Sequence, residues 1–233
     1  EGECFRDQMK SYAKIKYYNG DIYEGCTEKL QRHGKGVMAY RNGEKYDGEW
    51  ENNLRHGTGK YWWTNTGEVY NGKWSNNLRN GHGTMKYQDK SVYKGDWKND
   101  KREGKGVLKF QNQEKYSGGW FNDLYNGYGE FQWKDNNRYE GYWLNGNRDG
   151  AGKMKYKDGS FYQGSWKNNL KESSGTFVVQ NGDKCCGSWS KDVLRPSVEI
   201  YYQNGDQYYG EVDKDFKKNG NGILIYKNGE KYG

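Results

Sequence analysis

The chain repeats itself about every 23 residues, and this period constrains the fold more than any other feature. The stretch "YEGYWLNGNRDGAGKMKYKDGSF" is followed without a gap by "YQGSWKNNLKESSGTFVVQNGDK". Counted from the first aromatic as position 1, the repeats begin at Tyr23, Tyr46, Tyr70, Tyr93, Tyr116, Tyr139, Tyr162, Cys185 and Tyr208. A period of this size predicts an array in which each repeat buries its apolar face only against its neighbours.

The aromatic content decides whether so polar a chain has a core. Only 32% of its residues are hydrophobic and its mean hydropathy is −1.38, values that favour disorder. However, 17% of the residues are aromatic, including 23 Tyr and 10 Trp. Because a large ring buries much surface when it packs, these residues can build a core that hydropathy undercounts.

Each repeat opens with Tyr-x-Gly-x-Trp, which places three residues on one face of a strand. Position 3 is Gly in every repeat, and position 5 is Trp in seven consecutive repeats. Side chains alternate along a strand, so Gly leaves room on that face for a ring from a neighbouring strand. We expect the following rings to form the core: Tyr46, Trp50, Tyr70, Trp74, Tyr93, Trp97, Tyr116, Trp120, Tyr139, Trp143, Tyr162, Trp166 and Trp189. The alternative is that this aromatic face is a groove for a partner.

A polar connection such as "ENNLRH", a Gly-x-Gly motif and a second alternating stretch complete each repeat. Turn sequences such as "RNGEK" and "KDGSF" follow, since Asn-Gly and Asp-Gly suit the positive φ of a tight hairpin. Three repeats carry "QDKSV", "QNQEK" and "DNNRY" without the Gly, so turns that are looser or of another type are expected there. The pattern of each repeat is therefore strand, loop, strand, turn.

The predicted fold is all-β: an elongated, single-sheet antiparallel β-hairpin solenoid, or meander, of about nine to ten repeats. Two strands at about 4.8 Å each advance roughly 10 Å per repeat, or on the order of 90–100 Å in all. We expect residues 1–233 to form one continuous array that is cut at both ends. Gly2 and Cys4 fall where an earlier repeat would have its Gly and Trp, and residues 232–233 open a new copy.

The pattern Tyr-x-Gly-x-Trp, polar link, Gly-x-Gly and turn Gly resembles the membrane occupation and recognition nexus, or MORN, repeat. The resemblance covers nearly the whole chain and recurs about nine times. It implies an elongated, all-β, single-sheet solenoid without catalytic residues. MORN arrays occur in junctional membrane proteins, phosphoinositide kinases, protist cytoskeletal scaffolds and the radial-spoke heads of motile cilia. The resemblance therefore determines the fold better than the function.

Departures from the pattern identify candidate partner contacts. In the stretch 171–198, Ser173 replaces a Gly and Pro196 stands where Gly-x-Gly is expected, so we predict an irregular repeat with a re-aimed loop. Trp62 is adjacent to Trp63 and therefore points to the opposite, nominally polar face, where an exposed ring would anchor a partner. The predicted partner-binding residues are Trp62, Trp63, Arg195 and Pro196.

Position 10 is basic in most repeats, which predicts a row of cations along one edge of the sheet. The row comprises Arg32, Arg55, Arg79, Arg102, Arg148 and Lys171, with Tyr125 as the exception. It could track acidic lipid headgroups or an acidic protein partner. The alternative is a solvated loop edge that keeps a long sheet soluble.

The sequence carries no signature of catalysis, metal binding or nucleic-acid binding. Its four Cys indicate no disulfide framework, and with three dispersed His they form no zinc-binding pattern. A net charge of +7, from 38 basic and 31 acidic residues, lacks the strongly basic patch of a nucleic-acid-binding protein. We therefore expect no enzyme activity, no cofactor, no metal and no nucleic acid.

These observations favour a non-catalytic structural scaffold. It would be a rigid repeat array that docks protein partners in a large cytoskeletal or axonemal assembly of the radial-spoke type, in the cytoplasm or cilium. One alternative is a peripheral membrane adaptor that binds acidic phospholipids through the basic row. Another is a targeting domain of an enzyme that lies outside this fragment.

Overall fold

The structure, a computed structural model, describes residues 10–233. They form one antiparallel sheet of 21 strands, which confirms the predicted all-β meander. The strands are β1 Lys10–Lys16, β2 Ile22–Glu28, β3 Gln31–Ala39, β4 Lys45–Glu51, β5 Leu54–Trp62, β6 Val69–Ser75, β7 Leu78–Lys86, β8 Val92–Lys98, β9 Lys101–Lys109, β10 Lys115–Phe121, β11 Leu124–Gln132, β12 Arg138–Leu144, β13 Asn147–Lys155, β14 Phe161–Lys167, β15 Leu170–Val178, β16 Lys184–Ser190, β17 Val193–Leu194, β18 Ser197–Tyr201, β19 Gln207–Val212, β20 Lys218–Ile225 and β21 Lys231–Tyr232. The earlier repeat expected at Gly2 and Cys4 lies outside the described residues.

The chain divides into two compact units. The N-terminal unit comprises the described residues up to Asn112 together with Trp120–Asp123. The C-terminal unit comprises Gln113–Gly119 and Leu124–Gly233. The same two-stranded repeat recurs within each unit.

The connection in the middle of each regular repeat is a two-residue turn, not the predicted loop. In the Tyr46 repeat, β4 ends at Glu51, β5 begins at Leu54, and Asn52 and Asn53 between them have φ of 49° and 68°. Two successive residues with positive φ are typical of a type I′ turn, whose twist matches that of the paired strands. Asn adopts this conformation at a lower cost than most residues, which accounts for its recurrence at these positions.

The turn that closes each repeat contains one left-handed residue. Gly43 donates its N–H to the carbonyl oxygen of Tyr40 at 2.9 Å and has a φ of 87°. In the three turns without Gly, the left-handed position is held by Lys90, Gln113 and Asn136, with φ of 67°, 75° and 69°. The prediction of looser turns there is wrong, because pairing of the flanking strands outweighs the cost of positive φ.

The two glycines of the Gly-x-Gly motif have different roles. Gly57 has a φ of 58° and lies where the register between β4 and β5 shifts, so it forms a bulge. Gly59 lies against the ring of Tyr46, and a Cβ at this position would overlap the phenol. Gly48, at position 3, faces the backbone of Gly59 across the strand pair. The motif therefore bends the strand and makes room for one Tyr per repeat.

Buried tyrosines and tryptophans form the core. Tyr46 donates its hydroxyl to the Glu49 carbonyl oxygen at 2.9 Å, and its ring packs edge-to-face with Trp50 and Trp74 at centroid distances of 5.0 and 5.5 Å. Trp74 Nε1 donates to the Gly59 carbonyl oxygen of the preceding repeat at 3.0 Å. Each such aromatic pair contributes about 0.5–1.5 kcal/mol beyond its area burial. The side chains predicted to form the core are all buried, with at most 6% of each residue exposed: Tyr46, Trp50, Tyr70, Trp74, Tyr93, Trp97, Tyr116, Trp120, Tyr139, Trp143, Tyr162, Trp166 and Trp189.

The irregular repeat keeps a core by exchanging one ring for two aliphatic side chains. Cys185 occupies the Tyr position, and Leu194 and Val198 fill the space over Gly187. Val198 stands where a regular repeat has its second Gly, which no longer has to accommodate a ring. The exposed residue Pro196 separates β17 from β18 and, having no N–H to donate, lies outside both strands.

One expectation about the cysteines is wrong. Cys26 is disulfide-bonded, whereas Cys185 and Cys186 are free. Disulfide pairing depends on the distance and direction of two Cβ atoms in the fold, which spacing along the sequence does not give.

We predict that Trp74→Ala destabilises mainly its own repeat and the two adjacent ones. The change removes a ring that is 3% exposed and should cost about 3–5 kcal/mol of unfolding free energy. The loss should stay local, because repeats in an array contact only their neighbours. Hydrogen exchange should accelerate around residues 46–98 and change little around Tyr162. Equal loss of protection along the chain would instead indicate one cooperative core.

We also predict that Lys90→Gly raises the free energy of unfolding by about 0.5–1 kcal/mol. The change removes the cost of about 1–2 kcal/mol for a side chain at positive φ, partly offset by the greater freedom of unfolded Gly. Gly43→Ala, at the equivalent turn position, is the matched reverse change and should destabilise. Urea unfolding measures both. A less stable Lys90→Gly variant would show that the Lys side chain itself stabilises the turn.

Candidate functional site

The position-10 arginines lie over the aromatic core. The guanidinium carbon of Arg55 is 4.5 Å from the centroid of the Trp74 ring, and that of Arg102 is 4.3 Å from the Trp120 centroid. The same stacking on the Trp of the next repeat occurs at Arg32, Arg79 and Arg148. Cation–π contacts of this kind contribute about 0.5–2 kcal/mol, depending on desolvation. The arginines therefore stabilise the junction between successive repeats.

Each of these arginines also bonds to the turn of the next repeat. Arg55 Nη2 donates to the Asn77 carbonyl oxygen at 3.0 Å, and the Arg55 backbone N–H donates to Asn77 Oδ1 at 2.9 Å. Arg102 makes the same contacts with Asp123, including an ion pair of 3.1 Å. Only 19% of the Arg102 side chain is exposed. The cation row is thus neither solvated nor free.

Burial changes the electrostatics at the C-terminal end of the row. Desolvation lowers the pKa of Arg148 and of Lys171, since removal from water disfavours the charged form. In the repeat whose position 10 is Tyr125, an aromatic ring takes the place of the cation. The centroid of the Tyr125 ring lies 3.8 Å from that of Tyr116, on which it stacks, and 5.4 Å from that of Trp143. Binding of acidic lipids by this row stays a prediction, against which these internal contacts weigh.

Trp62 and Trp63 differ from each other in their packing. Trp63 packs against Tyr61, with ring centroids 4.5 Å apart and an interplanar angle of 38°. Trp62 is partly buried and not exposed as predicted, because the ammonium groups of Lys45 and Lys60 lie 5.1 and 4.5 Å from its ring. A role for Trp62 as a partner anchor stays a prediction.

Arg195 and Pro196 are exposed in the bend between β17 and β18. The Arg195 N–H donates to the Ser188 carbonyl oxygen at 2.8 Å, and the Val212 N–H donates to the Pro196 carbonyl oxygen at 3.2 Å. The main chain therefore anchors the bend on both sides while the two side chains point outward. Partner binding at this bend stays a prediction.

The face opposite the aromatic core changes its chemistry along the chain. The middle residue of each Gly-x-Gly points to this face and pairs with position 4 of the next repeat. In the N-terminal unit the pairs contain ionisable residues: Lys35 with Glu49, Thr58 with Lys73, and His82 with Asp96. In the C-terminal unit they are neutral: Tyr128 with Tyr142, Ala151 with Ser165, and Ser174 with Ser188. The second set forms a surface with small and aromatic side chains but no net charge.

The neutral pairs line a groove on the C-terminal unit, which we name the neutral groove. It holds about 800 Å³, and its lining includes Tyr128, Tyr142, Ala151, Ser165, Ser174 and Cys186. Tyr128 and Tyr142 are about half exposed, and their ring centroids lie 5.5 Å apart with an interplanar angle of 81°. Because the remaining floor is built from small residues, a ligand can approach the backbone closely.

The charged side chains that line the neutral groove have partners within the chain. Glu140 accepts a hydrogen bond from the Tyr128 hydroxyl at 2.9 Å and lies 3.7 Å from Arg138. The Lys153 ammonium group lies 3.7 Å from the centroid of the Phe161 ring. The groove therefore presents little unbalanced charge to an occupant.

A second pocket of about 680 Å³ adjoins the neutral groove. The two share Gln163, Thr176 and Cys186, and the second adds Phe161 and Tyr201 to its lining. The accessible surface thus continues beyond β16, and aromatic side chains lie at both ends of the combined depression.

The neutral groove is not among the sites that the sequence predicts. Its signal is nevertheless present in the middle residue of Gly-x-Gly, which is Lys35, Thr58, His82 and Lys105 in the first four motifs and Tyr128, Ala151 and Ser174 in the next three. These residues vary between repeats, whereas the pattern that identifies the array consists of the residues that do not vary. The change in polarity is visible only when the variable positions are compared.

Metal-binding clusters and membrane spans are not evident in the described part of the chain. Over residues 10–233, no group of three or more His, Cys, Asp or Glu is arranged to hold a metal ion. No helix within that range is both long and apolar enough to cross a bilayer. His33, His56 and His82 each have a ring nitrogen that lies 3.1–3.3 Å from a carboxylate oxygen.

Comparison with known families agrees with this geometry. The sequence profile of the MORN repeat matches residues 31–45, 46–68, 70–92, 93–115, 116–138, 139–161, 162–184 and 217–231. These segments cover more than half of the chain, and the interval between 184 and 217 contains the bend at Pro196. The resemblance drawn from the repeat pattern is confirmed.

Several solved structures are similar to this chain. The TCP10 domain of Danio rerio CPAP has a TM-score of 0.49 and 10% identity, covering 94% of this chain and 97% of that chain. Its complex with a peptide of Danio rerio STIL has a TM-score of 0.46 and 14% identity, over 95% and 97%. The Drosophila melanogaster SAS-4 TCP domain, in complex with a proline-rich motif of Ana2, has a TM-score of 0.38 and 12% identity, over 86% and 90%. Likeness at this level says nothing about ligands. No curated protein matches the sequence.

We predict that Arg102→Lys lowers the free energy of unfolding by about 1–2 kcal/mol. Lysine keeps the charge but loses the planar stacking on Trp120 and the paired bonds to Asp123. Arg195→Lys, in the exposed bend, is the control and should change stability by less than about 0.5 kcal/mol. Urea unfolding measures both variants. Unchanged stability of Arg102→Lys would show that the contacts of the guanidinium group do not stabilise the junction between repeats.

The free thiols of Cys185 and Cys186 should differ in reactivity. Burial raises the pKa of Cys185 to about 12, so at pH 8 almost none of its thiol is the reactive thiolate. Cys186 lines the neutral groove and is only partly buried. Brief treatment of the folded protein with iodoacetamide at pH 8 should therefore modify Cys186 first, as measured by peptide mass spectrometry. Preferential modification of Cys185 would show that the core of the irregular repeat opens readily.

Proposed function

Because this chain belongs to the MORN repeat family, we propose that it is a non-catalytic scaffold that docks a protein partner in the neutral groove. The family match supports a repeat scaffold. One observation carries the docking site: the cross-strand pairs become neutral where a groove bordered by two half-exposed tyrosines is present.

Exposed tyrosines beside a groove favour protein binding. Tyr is enriched at protein interfaces because it brings a large contact area and a polar hydroxyl with little rotamer freedom to lose. The rings on the opposite face are buried against each other, so most of their surface is already covered by the chain itself. Of the two faces of the C-terminal unit, the neutral one is therefore the better docking surface.

The membrane-adaptor alternative has less support. Its predicted contact surface is the cation row, whose arginines stack on Trp rings and bond to the next turn. Releasing them to a lipid surface would break contacts that hold successive repeats together. We therefore propose no second function.

We further propose that the scaffold acts in a cytoskeletal or axonemal assembly, of the radial-spoke type, in the cytoplasm or cilium. The occurrence of MORN arrays in such assemblies supports this setting, as does the presence of a docking groove without an evident catalytic group in the described residues. Size-exclusion of a cell extract and immunofluorescence test it. We expect co-migration with a large complex and cytoskeletal or ciliary staining. Recovery with floated membranes would contradict the proposal.

Site-specific photo-crosslinking tests the docking proposal directly. A photoreactive amino acid replaces Gln163, an exposed residue on the rim of the neutral groove. The matched control is Asp47, which is exposed at the same repeat position in the N-terminal unit. We expect one recurrent protein adduct at position 163, identified by mass spectrometry, and none of it at position 47.

Filling the groove provides the second arm of this experiment. Ser174→Trp places a large ring on the floor, where the Ser side chain is exposed and points away from the core. It should abolish the adduct at position 163. An adduct that persists in Ser174→Trp, or equal adducts at positions 163 and 47, would show that the partner does not occupy the groove.

A further inference from the structure

From the neutral groove we infer the chemistry of its occupant: an extended, proline-rich segment of a partner protein. This inference rests on the docking role proposed above. Three properties of the groove carry it, namely a floor whose main chain is already paired, a lining that offers aromatic rings and donors, and dimensions that suit a single extended chain.

The floor offers few main-chain hydrogen bonds to an occupant. Strands β12 to β15 each pair with a strand on both sides, so the N–H and C=O groups of the floor are used within the sheet. Addition of a further β-strand needs a free sheet edge and cannot occur on this surface. An ordinary peptide pressed onto the floor would bury N–H groups without acceptors. Proline has no N–H, so a proline-rich segment avoids that cost.

The lining supplies the groups that such a segment requires. Tyr128 and Tyr142 form an aromatic corner, and polyproline II segments dock in aromatic-lined grooves. Gln163, Ser165 and Ser174 carry side-chain donors along the lining. A proline-rich chain has more carbonyl acceptors than N–H donors, so donors on the protein complement it.

Charge points to the same class of occupant. Glu140 and Lys153 interact with Tyr128, Arg138 and Phe161, which leaves little unbalanced charge to attract an ionised side chain. An ionised side chain placed in the groove would lose hydration without gaining a partner. An uncharged segment has no such loss.

The dimensions favour an extended chain over a helix. From β11 to β16 the groove crosses five interstrand steps, or about 24 Å at about 4.8 Å each. A polyproline II segment of about eight residues has this length at about 3.1 Å per residue. An α-helix with a diameter of about 10–12 Å would fill roughly 2,000 Å³ over the same distance. The groove, at about 800 Å³, could hold less than half of that helix.

Fluorescence anisotropy with defined peptides tests the inference. The probe is fluorescein-labelled octaproline, added to the whole chain. The comparison probes are an eight-residue Gly-Ser peptide and an 18-residue amphipathic helical peptide with the same label. We expect octaproline to bind at least tenfold more tightly than either. Equal or tighter binding of the helical or the Gly-Ser peptide would overturn the inference.

Variants locate the binding. Ser174→Trp fills the floor and Tyr142→Ala removes one ring of the aromatic corner, and each should weaken octaproline binding at least tenfold. Thr58→Trp, at the same Gly-x-Gly position in the N-terminal unit, is the matched control and should leave binding unchanged. Since all three side chains are exposed, thermal unfolding should confirm that the variants fold. Octaproline binding that survives both groove variants, or that is lost equally in Thr58→Trp, would overturn the inference.

Crosslinking at position 163 separates this inference from the docking proposal. One outcome is a partner adduct that Ser174→Trp abolishes while octaproline does not bind. That outcome would support docking in the neutral groove and would overturn the inference that the occupant is proline-rich. Absence of both the adduct and octaproline binding would overturn both.

Discussion

Every regular repeat depends on one contact, in which a buried tyrosine ring lies directly against a glycine backbone. The ring of Tyr46 occupies the space that a Cβ of Gly59 would need, and it packs against the Trp of its own and the next repeat. A single sheet has no second layer to cover it, so its rings must cover each other, which they do by packing edge-to-face. This requirement fixes the glycines at positions 3 and 14 and the Trp at position 5. Where position 10 is arginine, its side chain lies over the Trp of the following repeat and stabilises the junction between the two, as Arg55 does over Trp74.

The exceptions follow from the same constraint. Where Cys185 replaces the tyrosine, Val198 replaces the glycine that the ring would have required, and Leu194 fills the remaining space. Where Tyr125 replaces the arginine, its ring stacks at 3.8 Å on the tyrosine that begins its repeat. In both cases a different side chain occupies the space over the sheet. Close packing therefore determines which substitutions can occur together.

The period predicts the sheet because ring and glycine positions are dictated by packing, and packing repeats with the sequence. Other features depend on information that the period lacks. Lys90 adopts a glycine-like φ of 67° because strand pairing on both sides outweighs its local preference. The sequence predicts Arg102 to be a surface charge, yet its long side chain lies over Trp120, since the position of a Cα does not fix where a long side chain lies. The neutral groove was missed because residues without a role in the core leave no periodic signal.

The two faces of the sheet tolerate substitution differently, and this difference determines which residues can encode specificity for a partner. Substitutions on the aromatic face disturb a ring, a glycine or a cation that its neighbours require. The side chains of the middle residue of Gly-x-Gly and of position 4 lie on the face opposite the rings, and Glu49 at position 4 lies beside Gly57. The pair can therefore change from Lys35 and Glu49 to Ala151 and Ser165 while the rings keep their packing. Two repeats with the same fold can thus present opposite chemistries on one face. A partner that binds the neutral pairs of the C-terminal unit would therefore find no equivalent surface on the ionisable pairs of the N-terminal unit, although the same two-stranded repeat recurs in both.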